Sequence, residues 1–153
     1  MNLRFEPITY SNRAAFEALR LLPEQKDFVD SVAECLQEAG TDRRWHPLGI
    51  LDGDRPVGFA MYGCFHEQGE DRVWLDRFLI DSRNQRKGYG SAALDRLLVR
   101  LPREYHTDTV YLSVFDSNRF AARMYQDHGF VFNGELDIGG EKVMVFHTEE
   151  SDR

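Results

Sequence analysis

The sequence predicts an α/β fold, a mixed and twisted sheet of about seven strands with four helices, in a single domain over residues 1–153. Three observations carry that prediction. Short apolar or alternating runs recur along the chain, separated by Gly, Pro and Asp turn signals. Between them the apolar period becomes helical, most clearly from Gly88 to Leu101. A strand–helix–strand order in the second half then requires a crossover, whereas the first half reads as hairpins.

Leu3–Ile8 alternates as a first strand, and Ser11 is placed to cap a short helix through Leu21 that Pro23 ends. A second helix carries Pro23 in its first turn and stops at Gly40. Pro47–Leu51 and Val57–Phe65 read as strands joined by the Asp52-Gly53-Asp54 turn. Arg72–Asp81 is apolar on both faces and therefore a central strand. The third helix has one stripe of Ala93, Leu94, Leu97, Leu98 and Leu101, and Pro102 is expected to end it. Thr109–Phe115 is a strand; Asp116 or Ser117 caps a helix over Asn118–His128 that Gly129 closes. Phe130–Leu136 and Glu141–Phe146 form a last hairpin around Gly139-Gly140.

A chain of 153 residues, 42% hydrophobic and 29% charged, can bury one core without disulfides or metals. No apolar run reaches the roughly 20 residues of a membrane span, and Arg4 and Glu6 break any signal-peptide pattern. Cys35 and Cys64 stand far apart, in no metal or redox spacing, as expected of a reduced cytoplasmic protein. The net charge of −7 disfavours nucleic acid as a partner and suits a cationic one, although solubility alone also accounts for it.

The chemistry concentrates in Gln85-Arg86-Lys87-Gly88-Tyr89-Gly90-Ser91, between the central strand and the third helix. A loop entering a helix N-terminus presents unpaired N–H groups and the positive end of the helix dipole. Glycines admit a phosphate to the backbone, and Arg86 and Lys87 add charge. A P-loop would need GxxxxGK[ST], which is absent. Gly88 to Ala93 fits the loose dinucleotide pattern GxGxx[GA], but that pattern opens a doubly wound domain, and here hairpins precede it. The remaining reading takes Gln85 with the glycines as [QR]xxGxG.

That segment resembles motif A of the Gcn5-related (GNAT) N-acetyltransferases, and Asn118, Ala121, Tyr125 and Gly129-Phe130 resemble the family's downstream NxxAxxxYxxxGF motif. Arg86 stands where a glycine is common in the family. Trp74-Leu75-Asp76-Arg77-Phe78, Tyr111-Leu112-Ser113 and Phe132-Asn133-Gly134-Glu135-Leu136 are further similar to the Blt-type bacterial spermine/spermidine N-acetyltransferases. The resemblance implies acetyl-CoA as co-substrate, no metal, and a small cationic amine as acceptor, with a homodimer left open. It implies that the backbone of Phe78, Leu79 and Ile80 holds the pantetheine arm, and that Gln85, Arg86, Lys87, Gly88, Tyr89, Gly90 and Ser91 wrap the pyrophosphate. Asn118 and Ala121 would touch the coenzyme, and Tyr125 would act as general acid beside its sulfur. An aminoglycoside or protein N-terminus as acceptor, or a non-catalytic acyl-CoA-binding regulator, are the competing readings.

The residues allow plainer roles as well. Tyr125 shares its helix with Phe120, Ala121 and Met124 and could be a core aromatic. Asp76 lies in an otherwise apolar strand, where a carboxylate is costly without a partner. Strand alternation turns Arg77 to the opposite face, so Arg77 is not its expected partner. By position Asp76 resembles the acidic residue that guides water to the amine in polyamine acetyltransferases. Glu24, Asp27, Asp30, Glu34 and Glu38 fall within about 120° of a helix, either a solvated face or an acidic wall for a polycation. Glu135 and Glu141 are further candidates for the acceptor's ammonium groups, and the five histidines show no ligand spacing.

Overall fold

The computed structural model describes residues 1–21 and 31–148. In chain order its elements are β1 (Leu3–Pro7), α1 (Arg13–Glu17), α2 (Val32–Thr41), β2 (His46–Asp52), β3 (Arg55–Glu67) and β4 (Glu70–Ile80). These are followed by α3 (Tyr89–Tyr105), β5 (Thr109–Val114), α4 (Arg119–Asp127), β6 (Val131–Leu136) and β7 (Lys142–His147). The 7-stranded sheet runs β1-β2-β3-β4-β5-β7-β6, with β4 in the middle as its two apolar faces require. β4 and β5 are parallel, with Trp74 opposite Tyr111, while β1–β2, β2–β3, β5–β7 and β6–β7 are antiparallel. No described helix is long and apolar enough to cross a membrane.

Two compact units divide the chain: residues 1–63 with 76–93, and residues 64–75 with 94–153. In the first, Phe16 of α1 and Val32 and Cys35 of α2 pack with Leu51, Phe59, Met61 and Leu79 from the strands. The tip of the Phe16 ring meets Gly49, where a Cβ would stand 2.2 Å from it, so only glycine allows the helix this close. In the second unit Tyr111, Val143 and Val145 form a core against Trp74. β3 and β4 meet through Gln68 (φ 52°) and Gly69 (φ 75°), a two-residue turn of I′ character.

Several helix ends differ from expectation. α1 stops at Glu17 rather than Leu21, and Asn12 rather than Ser11 holds its N-cap position. The chain leaves the helix early because Leu19 and Leu21 turn into the core while the Arg20 N–H donates to the Asp81 carboxylate (2.9 Å). α2 begins behind Ser31, whose hydroxyl accepts from Glu34 N–H (3.2 Å) while Glu34 accepts from Ser31 N–H (3.1 Å), a capping box. The helix start assigned to Pro23 lies outside the described residues. Gly40 sits inside α2, and Asp42 ends it in an extended conformation.

α3 runs through Pro102 to Tyr105. Leu101 and Pro102 are both buried, which offsets the lost N–H, and His106 (φ 53°) closes the helix with Thr107 N–H donating to Pro102 C=O (3.0 Å). α4 starts from Asn118, not Asp116 or Ser117, and Gly129 (φ 100°) closes it as its position predicts.

Candidate active site

Asp76 and Arg77 are adjacent on β4, half-buried at 23% side-chain exposure each. Contrary to the alternation argument, Arg77 is the partner of Asp76: its Nη1 donates to the Asp76 carboxylate and to the Asp76 carbonyl (3.1 Å). An arginine stem is long enough to fold back along the strand, which alternation of Cβ directions does not forbid. The other end of the same guanidinium meets Glu38 of α2 at 3.4 Å. Asp76, Arg77 and Glu38 therefore form one charged row.

At the end of β4, Leu79 and Ile80 are buried, and the β4–β5 register is the Trp74–Tyr111 pair, which does not reach residues 78–80. Asp81 follows with no exposed surface. Its carboxylate accepts from Arg83 Nε and Nη2 (2.8 Å each) and from the N–H groups of Arg83 and Arg20, and the Arg83 guanidinium holds its pKa down at about 2. A 3-10 turn over Ser82–Asn84 leads into the loop, whose first residue, Gln85, is half-buried and donates from Nε2 to Ile80 C=O (3.1 Å).

Arg86, Lys87 and Gly88 are exposed. Arg86 (φ 64°) and Gly88 (φ 86°) adopt left-handed conformations, which explains why position 86 favours glycine and marks the loop as strained. Helix bonding in α3 begins with Ala92 N–H to Gly88 C=O (3.1 Å), leaving the N-terminal turn of a 17-residue helix beside two cationic side chains. Such a loop suits a diphosphate. The Tyr89 ring is buried and its hydroxyl donates to Asp52, so only its backbone serves the loop surface.

In the second unit, Tyr125 lies half-buried on α4, edge-on to Phe130 with ring centroids 5.8 Å apart. Burial pushes its hydroxyl up to about 12. Among the described residues that hydroxyl has no hydrogen-bond partner, so its proton stays available. Asn118 and Ala121 occupy the N-cap and first turn of the same helix, both half-buried. Glu135 on β6 receives Arg72 Nη1 through both carboxylate oxygens (3.0 and 3.2 Å), and Arg72 in turn lies 4.5 Å from the Tyr111 ring. Glu141 accepts weakly from Ser113 Oγ (3.4 Å).

Asp76, Phe78–Ile80 and Gln85–Ser91 thus belong to the first unit, and Asn118, Ala121, Tyr125, Glu135 and Glu141 to the second. Glu24 and Asp27 lie outside the described residues, as does Asp30. The acidic stripe's remaining carboxylates already have work, Glu34 in the capping box and Glu38 with Arg77. Sequence reasoning set Arg77 aside and overlooked Asp81 and Arg55, whose guanidinium reaches Asn84 and Tyr89. Only Asp81 had a readable signal, an Asp two residues ahead of an Arg at a strand end.

The acetyltransferase (GNAT) family model matches residues 11–130. The chain is 44% identical over 149 residues to the spermine/spermidine N(1)-acetyltransferase of Bacillus subtilis, covering 95% of this chain and 98% of that protein. Among solved structures it resembles a chimera of the spermidine N-acetyltransferase SpeG from Vibrio cholerae and hSSAT, at TM-score 0.71 and 18% identity, covering 96% of both chains. It also resembles the PaiA N-acetyltransferase of Thermoplasma acidophilum in complex with coenzyme A, at TM-score 0.69 and 14% identity, covering 96% of this chain and 99% of that one.

Proposed function

The chain belongs to the acetyltransferase (GNAT) family, and on that premise we propose that it moves the acetyl group of acetyl-CoA onto a primary amine of a spermine- or spermidine-like polyamine. The observation that carries the acceptor is the 44% identity, over nearly the whole of both chains, to a spermine/spermidine N-acetyltransferase. Residues 1–153 act as one acetyltransferase domain in the cytoplasm.

Acetyl-CoA, when bound, supplies an activated thioester. The left-handed backbone at Arg86 and Gly88, the exposed cations of Arg86 and Lys87, and the α3 N-terminus fit its diphosphate. By the family resemblance, the backbone of Phe78–Ile80 would hold the pantetheine arm, and Asn118 and Ala121 would contact the coenzyme. The acceptor amine, with a pKa near 10, is mostly protonated at neutral pH and must lose a proton before it attacks. Asp76 takes that proton through a water, while its pairing with Arg77 keeps the carboxylate oriented. Tyr125 gives its phenolic proton to the departing sulfur. Direct attack with both substrates held together needs no covalent enzyme intermediate.

Acidic side chains answer the acceptor's distal ammonium groups. Glu135 and Glu141 are the hairpin candidates, Glu135 facing Arg72 and Glu141 meeting Ser113. Glu24 and Asp27 would contribute from the segment before α2. A panel of amines with acetyl-CoA, read by release of free thiol, tests the proposal. Spermidine should exceed butylamine in kcat/KM by about tenfold, the sum of several exposed pairs worth roughly 0.2–1 kcal/mol each. That margin should narrow as salt rises. Equal values for the two amines would remove the polyamine acceptor and leave the acetyltransferase assignment standing. No thiol release with any amine would favour an acyl-CoA-binding regulator instead.

A further inference from the structure

Residues 85–88 are held on both flanks to the β2–β3 turn by one side chain, Arg55. Its Nη1 donates to Asn84 Oδ1 (2.5 Å), immediately ahead of the loop, and its Nη2 donates to the Tyr89 hydroxyl (2.9 Å), immediately after the loop's exposed residues 86–88. Nη2 also lies 3.8 Å from Asp52 Oδ2, the oxygen that accepts the Tyr89 proton, and the other Asp52 oxygen accepts from Asn2 N–H (2.8 Å). Asn84 and Tyr89 are each only 5% exposed, whereas Arg86, Lys87 and Gly88 between them are exposed. The ends are anchored and the middle faces solvent.

We propose that Arg55 is a positioning residue for coenzyme binding, holding residues 85–88 in their left-handed, anion-ready shape. This rests on the reading that Gln85–Ser91 cradles the diphosphate. A guanidinium presents its nitrogens in a rigid planar fork, so one arginine sets the separation of two acceptors. A left-handed non-glycine residue such as Arg86 relaxes unless its flanks are held. Without the fork, the loop samples other shapes, and binding must restore the one that fits. The Tyr89 hydroxyl is the second half of the device, since it joins the Arg55 and Asp52 contacts.

The test is steady-state kinetics on the full chain with Arg55→Met, Arg55→Lys, Tyr89→Phe, the Arg55→Met/Tyr89→Phe double variant and Gly88→Ala. Arg55→Met should raise the KM for acetyl-CoA about threefold to tenfold, the range of a lost hydrogen-bond pair. Its kcat at saturating acetyl-CoA and its KM for the amine should not change. Its kcat/KM with S-acetylpantetheine, which lacks the diphosphate, should match the parent. Arg55→Lys should recover part of the loss, and the double variant should lose less than the product of its single losses, because both act on one network. A purely structural Arg55 would instead lower melting temperature and kcat with the acetyl-CoA KM unmoved, which overturns the inference. If Gly88→Ala raises that KM and Arg55→Met does not, the inference falls and the loop assignment stands. If neither does, the loop assignment falls with it.

Discussion

At the scale of single residues, the proposed mechanism assigns the chemistry to Tyr125 and Asp76. Burial pushes the Tyr125 hydroxyl up to about 12, so the phenol remains protonated across the range in which a polyamine loses its protons. As pH rises from 7 to 10, kcat should therefore climb as the amine deprotonates and show no fall from phenol ionisation. A downturn near pH 10 would mark an ordinary tyrosine. Tyr125→Phe keeps the edge-on contact with Phe130 and should lower kcat about 100-fold with little change in acetyl-CoA affinity. Asp76→Asn removes the charge that Arg77 faces and, in the proposed mechanism, the acceptor of the amine's proton. Its kcat should drop most near neutral pH and recover partly in base, where more amine is already neutral. An Asp76→Asn enzyme with parental kcat at every pH would leave Asp76 with the salt bridge alone.

The informative element is the junction that ends β4. Asp81 joins three pieces there: the strand, the 3-10 turn through Arg83, and the segment after α1 through Arg20 N–H. Its pKa is about 2 in the folded protein against 3.8 ordinarily, a lowering caused by Arg83. A carboxylate lowered by folding adds stability at pH above its unfolded value and loses it as pH falls through the folded one. Stability should thus decline between about pH 4 and pH 2, by roughly 1–2 kcal/mol once the solvent-exposed Arg83 is discounted. Asp81→Asn should be less stable at pH 7 and should flatten that part of the acid unfolding curve, as followed by circular dichroism. Parallel curves for the two proteins would place the acid sensitivity elsewhere.

The molecule as a whole should answer acetyl-CoA with a rise in melting temperature. A ligand at about 100 times its dissociation constant adds roughly 2.7 kcal/mol to the folded state. For a chain of this length that is several degrees, readable by thermal scanning. NAD and ATP should give no comparable shift, because GxGxx[GA] here follows antiparallel hairpins rather than opening a doubly wound sheet. A shift with NAD and none with acetyl-CoA would contradict the coenzyme reading of the Gln85–Ser91 loop.

The chain order of elements, the central place of β4, the glycine-rich loop and the closure of α4 at Gly129 were legible in the sequence because each follows from a local rule, whereas the place of β7 between β5 and β6 was not. Period 2 against 3.6 separates strands from helices, a glycine supplies a left-handed φ, and a turn joins neighbours in sequence. The Asp76–Arg77 pairing was not legible, since it depends on which way a flexible stem folds and on Glu38 waiting at the far end. The early end of α1 was hidden for a similar reason. Its residues favour helix, yet the core takes Leu19 and Leu21, and a carboxylate 61 positions away takes Arg20 N–H. Pro102 is the converse case, a helix breaker kept inside α3 because its burial offsets its missing donor. The sequence by itself determined the order of elements and the composition of the loop. Only the tertiary structure decided which distant side chains hold that loop in shape, because those contacts depend on where the folded chain brings separate segments together.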